Sequence, residues 1–117
     1  MSFFLGQRWI SDTESDQGLG TVVDLAGRFV TILFTATGES RQYAIKDAPL
    51  TRVVFNEGDV VPSHEGFSIT INEVVENNNL YTYIGHRVDT NELVDLKEMM
   101  LDHFIKFNKP HDRLLNG

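Results

Sequence analysis

The run Thr21-Val22-Val23-Asp24-Leu25-Ala26-Gly27-Arg28-Phe29-Val30-Thr31-Ile32-Leu33-Phe34 sets the architecture. Its first arm, residues 21–25, is rich in β-branched side chains, and Ala26-Gly27 is a turn signal. Residues 28–34 then read as the strongest strand in the chain. Both faces of that strand are largely apolar, which predicts a central or strongly bent strand with Phe29 and Leu33 in the core. On the upstream side, residues 7–10 read as a first strand and residues 11–17 as a polar loop. Gly18-Leu19-Gly20 follows, with glycines suited to a tight turn or bulge at the entry of a bent strand. On the downstream side, Thr37-Gly38-Glu39 is a turn and Ser40-Arg41-Gln42-Tyr43-Ala44 the next strand.

A boundary falls at Asn56-Glu57-Gly58-Asp59, and the pattern restarts. Phe67, Ile69 and Ile71 alternate with Ser68, Thr70 and Asn72, which is the period of a strand. Val74-Val75 then follows out of phase, the signature of a bulge. Residues 76–79 make a turn, and Leu80-Tyr81-Thr82-Tyr83-Ile84 is the returning strand. Leu-Gly-Gln-Arg-Trp at 5–9 and Glu-Gly-Asp-Val-Val at 57–61 hold equivalent places ahead of each meander, a weak sign of internal duplication. Residues 91–107 support two readings. Leu93, Leu96, Met100, Phe104 and Phe107 fit a helical face capped by Asn91, whereas Met99, Leu101, His103, Ile105 and Phe107 fit one face of a strand. Local propensity favours helix. The five closely spaced strands ahead of it favour closing strands, and that is the reading adopted.

The fold expected is therefore all-β, with one small barrel over 1–55, a second over 56–107, and a linker over 108–117. Trp9, Val23, Phe29 and Leu33 are expected in the first core, and Phe67, Ile69, Ile71 and Ile84 in the second. If fully buried, Phe29 truncated to alanine would cost about 3–5 kcal/mol. A unit of this size buries only about 60% of its unfolded surface, so the two are expected to pack on one another. The apolar pair Leu114-Leu115 in the last stretch suggests a piece of a longer protein.

Composition narrows the function. The chain has 117 residues, no cysteine and a net charge of −7, which excludes disulfides, thiolate metal sites and a cysteine nucleophile. No apolar run approaches the roughly 20 residues that span a bilayer, and the N-terminus has no secretory pattern, so a cytoplasmic setting is expected, with no membrane partner. The acid is concentrated: residues 56–107 carry three basic against ten acidic side chains. Nucleic-acid affinity comes largely from Lys and Arg displacing counterions, so only the first half offers a basic patch, from Arg8, Arg28, Arg41 and Arg52. Solvated strand arginines are the stronger reading of those four. Trp9, Phe34 and Tyr43 either line an aromatic groove or fill the first core, and core filling is favoured.

Catalytic patterns are missing. Gly18-x-Gly20 lacks both the third glycine and the strand–helix setting of a dinucleotide site. His64, His86, His103 and His111 have no ligand spacing. Glu98 and Asp102, four apart, share a face only on a helix. No catalytic residue, metal or cofactor is expected, and the candidate interaction surface comprises Arg8, Trp9, Arg28, Arg41, Tyr43 and Arg52.

Leu5-Gly6-Gln7-Arg8-Trp9-Ile10-Ser11-Asp12-Thr13-Glu14-Ser15 and Gly18-Leu19-Gly20-Thr21-Val22-Val23 resemble the opening of the bacterial RNA polymerase-associated ATPases of the Swi2/Snf2 superfamily. The likeness continues through Thr37-Gly38-Glu39, Thr51-Arg52-Val53, Phe55-Asn56-x-Gly58-Asp59, Thr82-Tyr83-Ile84-Gly85 and Lys109-Pro110-x-Asp112-Arg113-Leu114, and so covers essentially the whole chain. The resemblance implies two Tudor-like, SH3-like barrels of bent antiparallel sheet ahead of an ATP-driven motor whose own residues lie beyond Gly117. It implies core RNA polymerase as partner, a part in polymerase recycling during transcription, and a nucleoid-associated location through the polymerase. The chain's own C-terminal motor is a second expected partner. Nucleic acid, through the first barrel, is the alternative. Methyl-lysine reading is not expected, because too few aromatics are placed for a cage.

Overall fold

The computed structural model describes residues 2–105. Among them, nine strands form two antiparallel sheets. The first contains β1 (Arg8–Ser11), β2 (Gly20–Ala26), β3 (Phe29–Phe34), β4 (Glu39–Ala44) and β5 (Leu50–Arg52), in the order β4-β3-β2-β1-β5. The second contains β6 (Val60–Pro62), β7 (Ser68–Asn77), β8 (Leu80–Arg87) and β9 (Leu93–Lys97), in sequence order. Strand pairing does not close either sheet into a ring among the described residues.

The two halves repeat one another down to single hydrogen bonds. Gly6 and Gly58 both take positive φ, 92° and 89°, two residues ahead of β1 and β6. Gly6 N donates to Val22 O, and Val22 N donates back to Gln7 O. Gly58 N likewise donates to Ile71 O, and Ile71 N to Asp59 O. A register shift follows at once in each long strand, between Val22 and Asp24 in β2 and between Ile71 and Glu73 in β7. The second is the bulge announced by the phase slip at Val74-Val75. Each bulge bends its hairpin, as an extra residue on one strand must. Ser11 pairs with Leu50 on the far side of β1, and Ser63 bridges to Leu101 in the matching place. Both serines are buried and use Oγ to accept loop N–H groups, those of Thr13 and Glu14 for Ser11 and that of Glu65 for Ser63.

Residues 91–105 form no α-helix: β9 is a closing strand of the second sheet, as expected, but it ends at Lys97. Lys97, Leu96, Asp95, Val94 and Leu93 pair in order with Thr82 to His86 of β8. A 3-10 turn over Glu98–Met100 then breaks the strand before Leu101. Leu96 is buried, while Leu93 and Phe104, placed on the helical reading's apolar face, are exposed. Phe107 and the linker over 108–117 lie outside the described residues.

Two apolar cores result. Phe3, Trp9, Val22, Val30, Ile32, Phe34, Ala48 and Leu50 fill the first sheet. The second core draws on both halves: Ile10, Leu19, Val53 and Phe55 pack with Val61, Ile69, Ile71, Tyr83, Leu96 and Leu101. The units therefore share buried surface. The Tyr83 hydroxyl accepts from Phe55 N at 3.1 Å at the junction of the two halves, and burial pushes the Tyr83 phenol pKa up.

Several core assignments are corrected. Phe29 is 46% exposed and Val23 45%, while Phe67, Leu33 and Ile84 are half-buried. β3 is central, but only the face carrying Val30, Ile32 and Phe34 packs inward. Its other face carries Phe29 and Leu33 outward, and Val23 sits at the β2 bulge. Phe29→Ala should consequently cost about 1 kcal/mol, because half its surface is already in water. A urea midpoint shift equivalent to about 3 kcal/mol would contradict the exposed placement.

Candidate interaction surface

Of the six residues expected at an interaction surface, the first two are interior. Arg8 is fully buried and Trp9 is 4% exposed. Trp9 stacks on Phe3 with ring centroids 4.4 Å apart, and its indole N–H donates to Gln7 Oε1 at 3.0 Å. With Phe34 also buried, these aromatics fill the core, and no aromatic groove forms from them.

Arg8 instead ties the two sheets together. Its Nε donates to Gly20 O in the first sheet, and Nη1 donates to the carbonyls of Glu98 and Leu101 at 3.0 and 3.1 Å. Its Nη2 donates to His103 Nδ1 at 3.0 Å. Arg8 N donates to Glu98 Oε1 at 2.9 Å, and Glu98 is 1% exposed. Arg52 approaches the same carboxylate from outside, with Nη2 at 2.8 Å from Oε2, and lies over the Tyr81 ring at 4.6 Å. Burial pushes the Arg8 guanidinium pKa down to about 10, against the opposing pull of Glu98 and Asp102. That is still charged at neutral pH, which is why Glu98 has to be there.

His103 is the titrating member of this clasp. Partial burial, then Arg8 and His64, hold its pKa below the ordinary value, while Asp102 opposes them. Its Nδ1 accepts from Arg8, so the folded state keeps the ring neutral. On acidification the unfolded chain takes up a proton that the folded chain resists. This stability is therefore present above about pH 6.5 and lost as pH falls through it. Urea midpoints should drop between about pH 7 and 5, and His103→Asn should flatten that slope. An unchanged slope would remove His103 as its source.

Of the remaining candidates, Arg28 and Arg41 lie outside and Tyr43 packs against the core. Arg41 is held by Glu14 and Glu39, with Nε 3.3 Å from Glu14 Oε1 and Nη1 3.1 Å from Glu39 Oε2. Those partners raise its pKa, and the hydrogen bond from Arg41 in turn lowers that of Glu14. Tyr43 is half-buried against the first core, its hydroxyl enclosed near Ser11 without a hydrogen bond of normal geometry, and burial raises its pKa. Arg28 is exposed and makes no ion pair among the described residues. The four arginines are therefore not one patch: two are spent inside the fold, one is neutralised, and one is free.

Residues that sequence reasoning left unmarked now join Arg28. Lys46, also without an ion pair among the described residues, lines one concavity with Gly27, Arg28, Ala44 and Ile45. Phe29 stands between Ala26 and Ala44 in the ladder beside it. The apolar outer face of β3 was visible in the sequence, but it was assigned to the core. No group of three metal-ligating side chains occurs among the described residues, and no helix there is long and apolar enough to cross a membrane.

Two short, bulged antiparallel sheets sharing a core define a tandem Tudor-like protein, a class of non-catalytic modules. The family model described as RapA N-terminal Tudor like domain 1 matches residues 3–53, and that described as RapA N-terminal Tudor like domain matches residues 55–117. The chain belongs to the RapA N-terminal Tudor-like family.

Proposed function

We propose that the chain is the non-catalytic N-terminal module of an RNA polymerase-associated Swi2/Snf2 ATPase, with domains over 1–55 and 56–107, and that it docks the ATPase on core RNA polymerase for recycling during transcription. The observation that favours protein docking over nucleic-acid binding is the fate of the arginines. With Arg8 buried, Arg52 on Glu98 and Arg41 between two carboxylates, no phosphate-tracking row is left among the described residues. Co-elution of the chain with core RNA polymerase at two ionic strengths tests this. Retention at moderate salt supports docking on protein; a steep loss with salt, together with retardation of free RNA or DNA, would replace it with the nucleic-acid reading.

The same module is proposed to restrain its motor. Glu73, Glu76, Glu92 and Asp95 are exposed on the acidic second domain, whereas Glu98 is internally neutralised and drops out of that surface. A tethered acidic face competes for a positive nucleic-acid cleft at high effective concentration. ATP hydrolysis should rise in the parent lacking residues 1–107 and in one carrying those four carboxylates as amides. Equal rates in all forms, with and without polymerase, would end the restraint reading.

A further inference from the structure

The tip of the β2–β3 hairpin combines three features that occur together at no other described place. The first is apolar exposure: Phe29, on the outward face of β3, is 46% exposed, and Val23, at the β2 bulge, is 45% exposed. The second is charge. In a chain of net charge −7, Arg28 and Lys46 are two cations without ion pairs among the described residues, on one concavity. Ile45 N donates to Arg28 O at 2.8 Å, which fixes their two backbones side by side. Asp24 and Asp47 lie nearby in sequence but neither neutralises them. The third is an open edge: β4 is the terminal strand of its sheet, with no strand on its outer side among the described residues. Its outward residues, in register with Phe29, Thr31 and Leu33, are Ala44, Gln42 and Ser40. Ala44, being small, leaves the Phe29 ring open to a side chain arriving along that edge.

We infer that this tip is a docking site for an extended, acidic and apolar protein segment. Such a segment adds along β4, sets an apolar side chain on Phe29 across Ala44, and places carboxylates against Arg28 and Lys46. Charge complementarity selects it: an apolar strand alone meets no reason to choose this edge, and a basic one is repelled. The inference rests on the polymerase-docking reading for the source of the segment, and the chemistry of the site stands on the residues themselves.

The test has two arms. In the first, binding of the chain to immobilised core RNA polymerase is compared for wild type, Phe29→Ser, the double variant Arg28→Glu/Lys46→Glu, and Lys97→Glu on the second sheet. Loss of about tenfold in both tip variants, with Lys97→Glu unchanged, is expected for a central anchor and its flanking charges. Binding by wild type that neither tip variant weakens overturns the tip while leaving polymerase docking intact. In the second arm, backbone amide shifts are followed while adding a peptide that alternates glutamate with valine and phenylalanine, the same peptide with lysine for glutamate, and an oligothymidylate. Shifts at 28–30 and 44–46 with the acidic peptide only are expected. Absence of those shifts, or equal shifts with oligothymidylate, overturns the inference. Should wild type not bind polymerase at all, the docking reading fails, and the peptide arm still decides the tip. Phe29→Ser and the double variant must unfold cooperatively near the wild-type midpoint; the charge variant keeps the test open if Phe29→Ser does not.

Discussion

Glu98→Gln is expected to destabilise the chain by about 3–5 kcal/mol, the usual cost of removing one partner from a buried ion pair. The substitution keeps volume and shape, so no cavity enters the account. It removes the charge that compensates Arg8, which has no exposed surface and whose pKa burial already pushes down to about 10. It also misplaces donors. Glu98 Oε1 accepts from Arg8 N and Arg52 Nη1, and Oε2 accepts from Arg52 Nη2 and Tyr81 N. A glutamine must turn its NH2 group toward one of those two sets of donors. Arg8 cannot escape to water, because its other N–H groups are fixed on carbonyls of residues 20, 98 and 101. Arg52, with its side chain 20% exposed, can, so Arg52→Met should cost less than Glu98→Gln. Urea unfolding with an unchanged slope measures both. A loss below about 1 kcal/mol for Glu98→Gln would mean that the clasp contributes little to holding the sheets together.

Gly85→Ala should cost about 3 kcal/mol or more, through backbone collision rather than lost contact. Gly85 lies in mid-β8, opposite Ile71 on one side and Val94 on the other. A Cβ there overlaps the Thr70 carbonyl oxygen and comes within 3.1 Å of Ile71 Cα. Neither is the end of a flexible side chain, and both belong to the stretch of β7 entering its bulge, so β7 must move away from β8. The consequence reaches the first unit, because Ile10, Leu19 and Val53 pack in the core that β7 and β8 line. Trp9, the one tryptophan, reports from the other core. Its fluorescence and the far-UV circular dichroism should therefore lose structure in one coincident, earlier transition. Two separated transitions, with Trp9 unaffected, would show that the shared core does not couple the units.

Much of this was legible locally. The hairpin around Ala26-Gly27, the boundary at residues 56–59, the bulge near Val74-Val75 and the repeated glycine entry at Gly6 and Gly58 follow from side-chain period and backbone permissiveness, which act over a few residues. For residues 91–105 local propensity pointed the wrong way, to helix, since it sees only neighbours; the strand reading came from the run of strands ahead. β9 forms because β8 offers it a ladder, and no helix survives against that pairing.

The candidate site was decided by tertiary structure, and the arginines show why. Arg8, Arg28, Arg41 and Arg52 look alike in the sequence, each in or beside a strand. Arg8 is interior because carbonyls of residues 20, 98, 99 and 101 accept from its guanidinium, while the Glu98 carboxylate, bonded to the Arg8 backbone N–H, offsets its charge. An arginine's burial depends on whether a counter-charge and acceptors converge on it, and nothing near position 8 in the chain carries that information. Phe29 shows the reverse case. Its apolar character predicts burial, yet a sheet has two faces, and only packing decides which one a partner sheet covers. Side-chain period therefore specified the strands and their turns, and long-range contacts with Glu98 decided which arginines left the surface.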